Sequence, residues 1–173
     1  MSRGCGTGLD MGNISLPLSR RGWLLAIAGF CALASGAAPE SNPVAIVVRS
    51  DLPLDNLPFA ELRRVLLGDR QFWSSNLKVT LLVRAPGARE RDVVLKNIYQ
   101  MSEAQFRQYW IAKIFRAEAA SGPRIVYSSE MATELVTQIP GAVAFVDASQ
   151  VPAGLKVMKI NGLLPGQPGY PLH

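Results

Sequence analysis

Histidine is almost missing from this chain of 173 residues, and the single one, His173, is the last residue. Without a histidine in the body of the chain, no Ser-His-Asp, Cys-His or histidine-metal constellation can form in a rigid pocket, which sets aside the common hydrolase and metal-enzyme classes. Cysteine is nearly as scarce: Cys5 and Cys31 both precede residue 38. If that segment is removed, the mature protein has no disulfide, thiol nucleophile or thiolate metal site, and its core must hold it together unaided. Walker-type loops and glycine-rich dinucleotide fingerprints are absent as well. No cofactor and no metal are expected.

Charge is sparse and dispersed. Of 18 Lys and Arg and 13 Asp and Glu, Arg3, Arg20, Arg21 and Asp10 fall before residue 38, leaving 15 against 12. That balance of +3 (15 − 12) is spread along the chain without the basic face and interleaved aromatics that nucleic acid requires. Long apolar runs are also missing. The longest, from Gly22 to Ala34, is shorter than the roughly 20 residues needed to cross a bilayer.

That run follows Ser19, Arg20 and Arg21 and precedes Ser35, Gly36 and Ala37. Basic residues, then an apolar stretch, then small side chains is the order of a secretory signal peptide, with cleavage after Gly36 or Ala37. An uncleaved anchor is the competing reading, disfavoured by length. Met11 lies between a polar leader and the basic pair, so translation starts at Met1 with an extended n-region or at Met11. Cys31 follows the bulky Phe30, which does not suit lipid attachment. The division expected is 1–37 signal peptide, 38–160 a single α/β domain, and 161–173 a flexible tail rich in Gly and Pro. The mature protein is expected in the periplasm or outside the cell, with no membrane span.

Val44 to Val48 is a β-branched run without polar alternation, as in a strand buried on both faces of a parallel sheet. Asp51 to Asn56 reads as a loop. Pro58 then opens a helix in which Phe59, Leu62, Val65 and Leu66 recur at helical spacing, with Gly68 suited to its end. Leu77 to Val83 is a second strand, Ala85-Pro86-Gly87 a turn, and Arg89 to Tyr99 a helix. Ser102 and Gln105 form a capping box, with Met101 and Phe106 placed for a hydrophobic staple. The helix beginning there carries Phe106, Tyr109, Trp110 and Ile114, a stripe suited to core packing. After Gly122 and Pro123, Arg124 to Tyr127 is a short extended segment, and Ser128 or Ser129 caps a helix holding Met131, Leu135 and Ile139. Ala142 to Val146 is another buried strand, and Leu155 to Ile160 an edge strand. Phe72 and Trp73 are expected to pin their loop to the core. Strands alternating with helices indicate three αβα layers on a mixed, mainly parallel sheet of four to five strands.

Four segments in order carry a resemblance: Leu62-Arg63-Arg64-Val65-Leu66-Leu67-Gly68, then Phe72-Trp73, then Val79 to Glu90, then Pro140-Gly141-Ala142-Val143-Ala144-Phe145-Val146. From about Asn42 to Ile160 the chain resembles phosphate-type substrate-binding proteins of ABC transporters, most closely their short, single-lobed members. The resemblance implies a periplasmic-binding-protein-like lobe, a non-enzymatic role, and a small oxyanion such as phosphate as ligand. It also implies an ABC permease or another envelope protein as partner.

In that family a strand delivers an arginine, and the next turn aims backbone N–H groups and hydroxyls at the anion. Arg84 stands at the arginine position, and Gly87 matches. Ala88 replaces the family's serine, Arg89 its glycine, Glu90 its threonine, and Pro86 an acidic residue that accepts a phosphate proton. The ligand-binding candidates are therefore Arg84, Gly87, Ala88 and Arg89. Each charge-assisted hydrogen bond lost from a desolvated site is worth about 1.5–3 kcal/mol, so two or three losses weaken binding by about 10³-fold. A carboxylate at Glu90 further repels an anion, whereas Arg89 compensates if it reaches the ligand. Arg89 and Arg91 otherwise read as a solvated first turn, and Glu90 with Asp92 as a solvated carboxylate pair. Two functions remain open: a weak oxyanion-binding module, or an envelope interaction module on a lobe that has lost ligand capture.

Overall fold

A computed structural model describes residues 42–74 and 76–173. The proposed signal peptide, Met11 and both cysteines lie outside the described residues.

Five strands form the main sheet in the order β4-β3-β5-β1-β6. They are β1 (Val44–Arg49), β3 (Thr80–Arg84), β4 (Arg124–Val126), β5 (Ala142–Asp147) and β6 (Leu155–Val157). A two-residue strand β2 (Asn56–Leu57) pairs in parallel with β7 (Lys159–Ile160) at the side. β3 runs parallel to β4 and β5, whereas β1 is antiparallel to both β5 and β6. Four of the five strands therefore point one way, giving the mixed, mainly parallel sheet expected. The one reversed strand is β1, whose continuous β-branched run had suggested a parallel strand. Its residues Val44 to Val48 are fully buried on both faces, so the pattern records two-sided burial and carries no information on direction.

Alternation along β1 separates the two faces. Val44, Ile46 and Val48 join the core beneath helices α1 (Phe59–Leu66), α2 (Arg89–Val94) and α3 (Glu103–Phe115). Ala45 and Val47, with Ala142, Ala144 and Val146 of β5, face α4 (Ser129–Gln138) through Ala132 and Val136. The small side chains on this second face let one helix pack closely. Three αβα layers result.

The capping box at Ser102 is present, with Gln105 N–H donating to Ser102 Oγ at 3.3 Å and Ser102 N–H to Gln105 Oε1 at 2.8 Å. Ser128 caps α4, its Oγ accepting from Met131 N–H at 3.1 Å. Two helical stripes pack as expected except at one residue each, with Tyr109, Leu135 and Ile139 half-buried against the core. On α3 the buried stripe is Phe106, Trp110 and Lys113, leaving Ile114 exposed; on α4 it is Ser129, Ala132 and Val136, leaving Met131 exposed. Lys113 displaces the isoleucine because its Nζ caps the end of α1. It donates to Leu67 O at 2.8 Å and to Tyr109 Oη at 3.0 Å, and pairs with Asp69. Burial opposes that charge, but Asp69 and Tyr109 outweigh it and hold the Lys113 pKa above its ordinary value.

The helix from Arg89 continues past Val94 as a π-turn over Leu95–Tyr99, which buries Tyr99 and lets its hydroxyl donate to Leu66 O at 2.9 Å. The expected edge strand Leu155 to Ile160 is broken at Met158, which turns inward, so that β6 finishes the main sheet and β7 meets β2. Trp73 anchors its loop through an indole N–H donated to Gly141 O at 3.0 Å, while Phe72 stays half exposed.

The tail is not loose. Tyr170 and Leu172 are buried, Val44 N–H donates to Leu172 O at 2.9 Å, and Tyr170 Oη donates to Val44 O at 2.8 Å. Glycine and proline set the turns there, and two apolar side chains then complete the core beside β1. Among the described residues no helix is long and apolar enough to cross a membrane.

Candidate functional site

The carboxyl ends of β3, β4 and β5 lie side by side, the edge at which open α/β sheets place ligands. Arg84 closes β3, Ser128 follows β4, Asp147 closes β5, and Asn42 leads into β1 beside Asp147. The first turn of α2 sits over this edge.

The turn that joins β3 to α2 is Ala85-Pro86-Gly87-Ala88. Proline fixes the second position, Gly87 takes φ +87° at the third, and Ala88 N–H donates to Ala85 O at 3.2 Å, as in a type II turn. A side chain at Gly87 would meet no atom within 4 Å, so its role is the turn itself. Because Ala88 N–H is used internally and Ala85 N–H donates to Val126 O at 2.9 Å, the turn presents fewer main-chain donors than an anion loop needs. The N–H groups of Arg89 and Glu90 remain as the orphans of a helix start.

Arg84 is largely buried, with 14% of its side chain exposed, and its Nε lies 3.8 Å from Glu90 Oε2, a carboxylate only 11% exposed. Glu90 therefore is not a solvated surface acid. Helix geometry turns the second residue of α2 back over the strand end, against Arg84. The contact is loose, however. Arg84 Nε and Nη1 are buried and have no hydrogen-bond partner. Glu130, near the same edge, is held below its ordinary pKa by its own backbone N–H and by Ser128, with a smaller contribution from the Arg84 charge.

Arg89 does not converge with Arg84. Its Nη2 donates to Asn42 O and lies 3.3 Å from Asp147 Oδ2, tying α2 to the β1–β5 corner. Burial opposes ionisation of Asp147, but hydrogen bonds from Ser149 and Asn42, with the Arg89 charge, hold its pKa below the usual range. Arg91 was expected on a solvated face and is instead buried at 4% exposure. It makes two bonds of 2.8 Å to the Glu103 carboxylate, donates to Arg84 O at 2.7 Å, and lies 5.0 Å over the Phe106 ring. Glu103 is in consequence held below the ordinary carboxylate pKa, chiefly by the hydrogen bonds from Arg91.

Of the four candidate residues, Arg84 ends β3 and Gly87 and Ala88 lie on the turn that follows it, while Arg89 is spent elsewhere. Each arginine at the edge faces a carboxylate: Arg84 faces Glu90, Arg89 faces Asp147, and Arg91 faces Glu103. Sequence reasoning missed Glu103 and Asp147. The only local signal was a carboxylate in the first turn of α3 and another ending an apolar strand. His173 lies 2.8 Å from Tyr170 O, and no group of three potential metal ligands occurs among the described residues.

No family model matches the chain, and no curated protein does. Solved structures do. An ABC-type phosphate transport receptor from Vibrio cholerae superimposes with a TM-score of 0.61 at 18% identity, covering 76% of this chain and 53% of its own. PstS from Borrelia burgdorferi gives 0.57 at 15% identity, covering 72% and 49%. A protein from Clostridium perfringens described as a phosphate ABC transporter substrate-binding protein, solved with bound phosphate, gives 0.57 at 15% identity, covering 70% and 46%. This chain thus spans about half the length of each. Its fold is that of a lobe of a phosphate-type periplasmic binding protein.

Proposed function

We propose that this chain is an exported, non-enzymatic module that keeps the solute-binding lobe but has given its oxyanion position to its own carboxylate, and serves as an interaction module in the cell envelope. One observation carries this reading: Glu90 faces the buried Arg84 at 3.8 Å, where an anion would otherwise be held. An incoming phosphate must displace or sit against a fixed negative charge, without the hydroxyls that Ala88 and Glu90 replace. The exposed apolar side chains offer the other half of the reading. Ile111 (61%) and Phe115 (91%) stand out on α3, and Tyr127 (75%) just past the edge strand β4, whose outer side has no neighbour among the described residues. An ABC permease or another envelope protein is the kind of partner that fits.

Pull-down from periplasmic extract tests it. The wild-type protein should recover a specific envelope partner that Phe115→Ser fails to recover; a monomer that retains nothing sinks the reading.

Weak oxyanion capture is the second reading, favoured by the two partnerless N–H groups of Arg84. Calorimetry with phosphate separates the two. Heat at millimolar phosphate that vanishes in Arg84→Ala supports capture, whereas silence in both proteins supports a closed basin.

A further inference from the structure

At the opposite end of β3 lies a cavity of about 220 Å³. It exists because β4 begins with Arg124 opposite Leu82, so Thr80 and Leu81 have no strand along their outer side. Trp110 and the Ser121–Pro123 turn wall that gap, and Arg70, Lys78 and Arg124 stand around it.

Its chemistry is lopsided. None of the lining residues is acidic. Among the described residues Lys78 and Arg124 join no ion pair, and only Arg70 is shared, at 3.3 Å from Glu61. The carboxylates next along the chain from the wall are each paired elsewhere, Asp69 with Lys113 and Glu118 with Arg116. Trp110 is 94% buried (6% exposed), and its indole N–H is also buried and has no acceptor. A buried donor without a partner is costly, and this one belongs to a side chain that walls the cavity, so it reports on changes there. The wall beside it, Val65 and Leu81, is apolar.

We infer that this cavity binds a small amphipathic carboxylate, its apolar body against Leu81 and Trp110 and its charge toward Lys78 and Arg124. An apolar cavity of about 150 Å³ suffices for benzene, so this one admits a ring bearing a carboxylate. The site is separate from the Arg84 edge and does not depend on the fate of phosphate there.

The test is a titration of the purified exported protein, ¹⁵N-labelled, with benzoate and with benzamide, which has the same shape and no charge. Benzoate should shift the Trp110 indole N–H resonance, assigned through Trp110→Phe, in a saturable way, and benzamide should not. Lys78→Glu and Arg124→Glu should each weaken benzoate about tenfold or more, and Arg84→Ala should leave it unchanged. Equal responses to benzoate and benzamide, or none to either, overturn the inference without recourse to any variant. Loss of the benzoate response in Arg84→Ala overturns it too, by placing the ligand at the other edge.

Discussion

The two ends of β3 carry similar cations and treat them in opposite ways. At the carboxyl end, Arg84 and the first-turn arginines of α2 each face a carboxylate supplied by the chain, and all of these groups are at least partly buried. At the amino end, Lys78 and Arg124 surround a cavity without an acid in its lining. A cation becomes a binding element only when its own fold leaves it unneutralised, so arginine content at an edge says little until its partners are known.

The contrast can be broken most severely at the amino end. Gly141 holds φ +77°, and a Cβ there would fall 2.2 Å from Lys78 O, against the backbone that carries one of the cavity's cations. Gly141→Ala should therefore cost about 3–5 kcal/mol, read as a large drop in Tm or failure to fold.

At the carboxyl end, Glu103→Gln leaves the buried Arg91 without its counter-charge and should cost about 1–3 kcal/mol in chemical denaturation. Its pH signature is specific. The Glu103 pKa is lower folded than unfolded, so its stabilisation is complete above the ordinary carboxylate range and is lost as pH falls through the depressed folded value. The acid limb of the stability curve should be shallower in Glu103→Gln than in the wild type; identical limbs would show that the pair does not govern it.

Glu90→Gln sharpens the comparison by removing the carboxylate that faces Arg84. Phosphate affinity should rise by about tenfold or more over the wild type in calorimetry, and the gain should disappear when Arg84→Ala is added. The smallest effect is expected from Ser128→Ala, which removes the α4 cap beside the same edge. About 1 kcal/mol of stability should be lost, with no change in the response to phosphate or benzoate.

Much of the framework was legible because it depends on local pattern. The capping box at Ser102, the Pro58 helix start and the two buried strands are each set by residues a few positions apart. The order of short motifs around Arg84 located the strand end and its turn. Burial of charge was not legible, since Arg91 becomes a core residue only through Glu103 on the next helix and the Phe106 ring beneath it. Glu90 looked solvated for the same reason. The tail misled because glycine and proline hide the two apolar residues that complete the core beside β1. The cavity left no local signal at all, its walls being drawn from positions between Val65 and Arg124.

The backbone bond from Val44 to Leu172 brings the beginning and the end of the domain together at the corner where β1 meets Asp147. A group attached next to Asn42 or His173 accordingly crowds the arginine edge and leaves the opposite cavity clear. A sensor chip loaded through a C-terminal tag would thus report faithfully on one end of the molecule while masking the other.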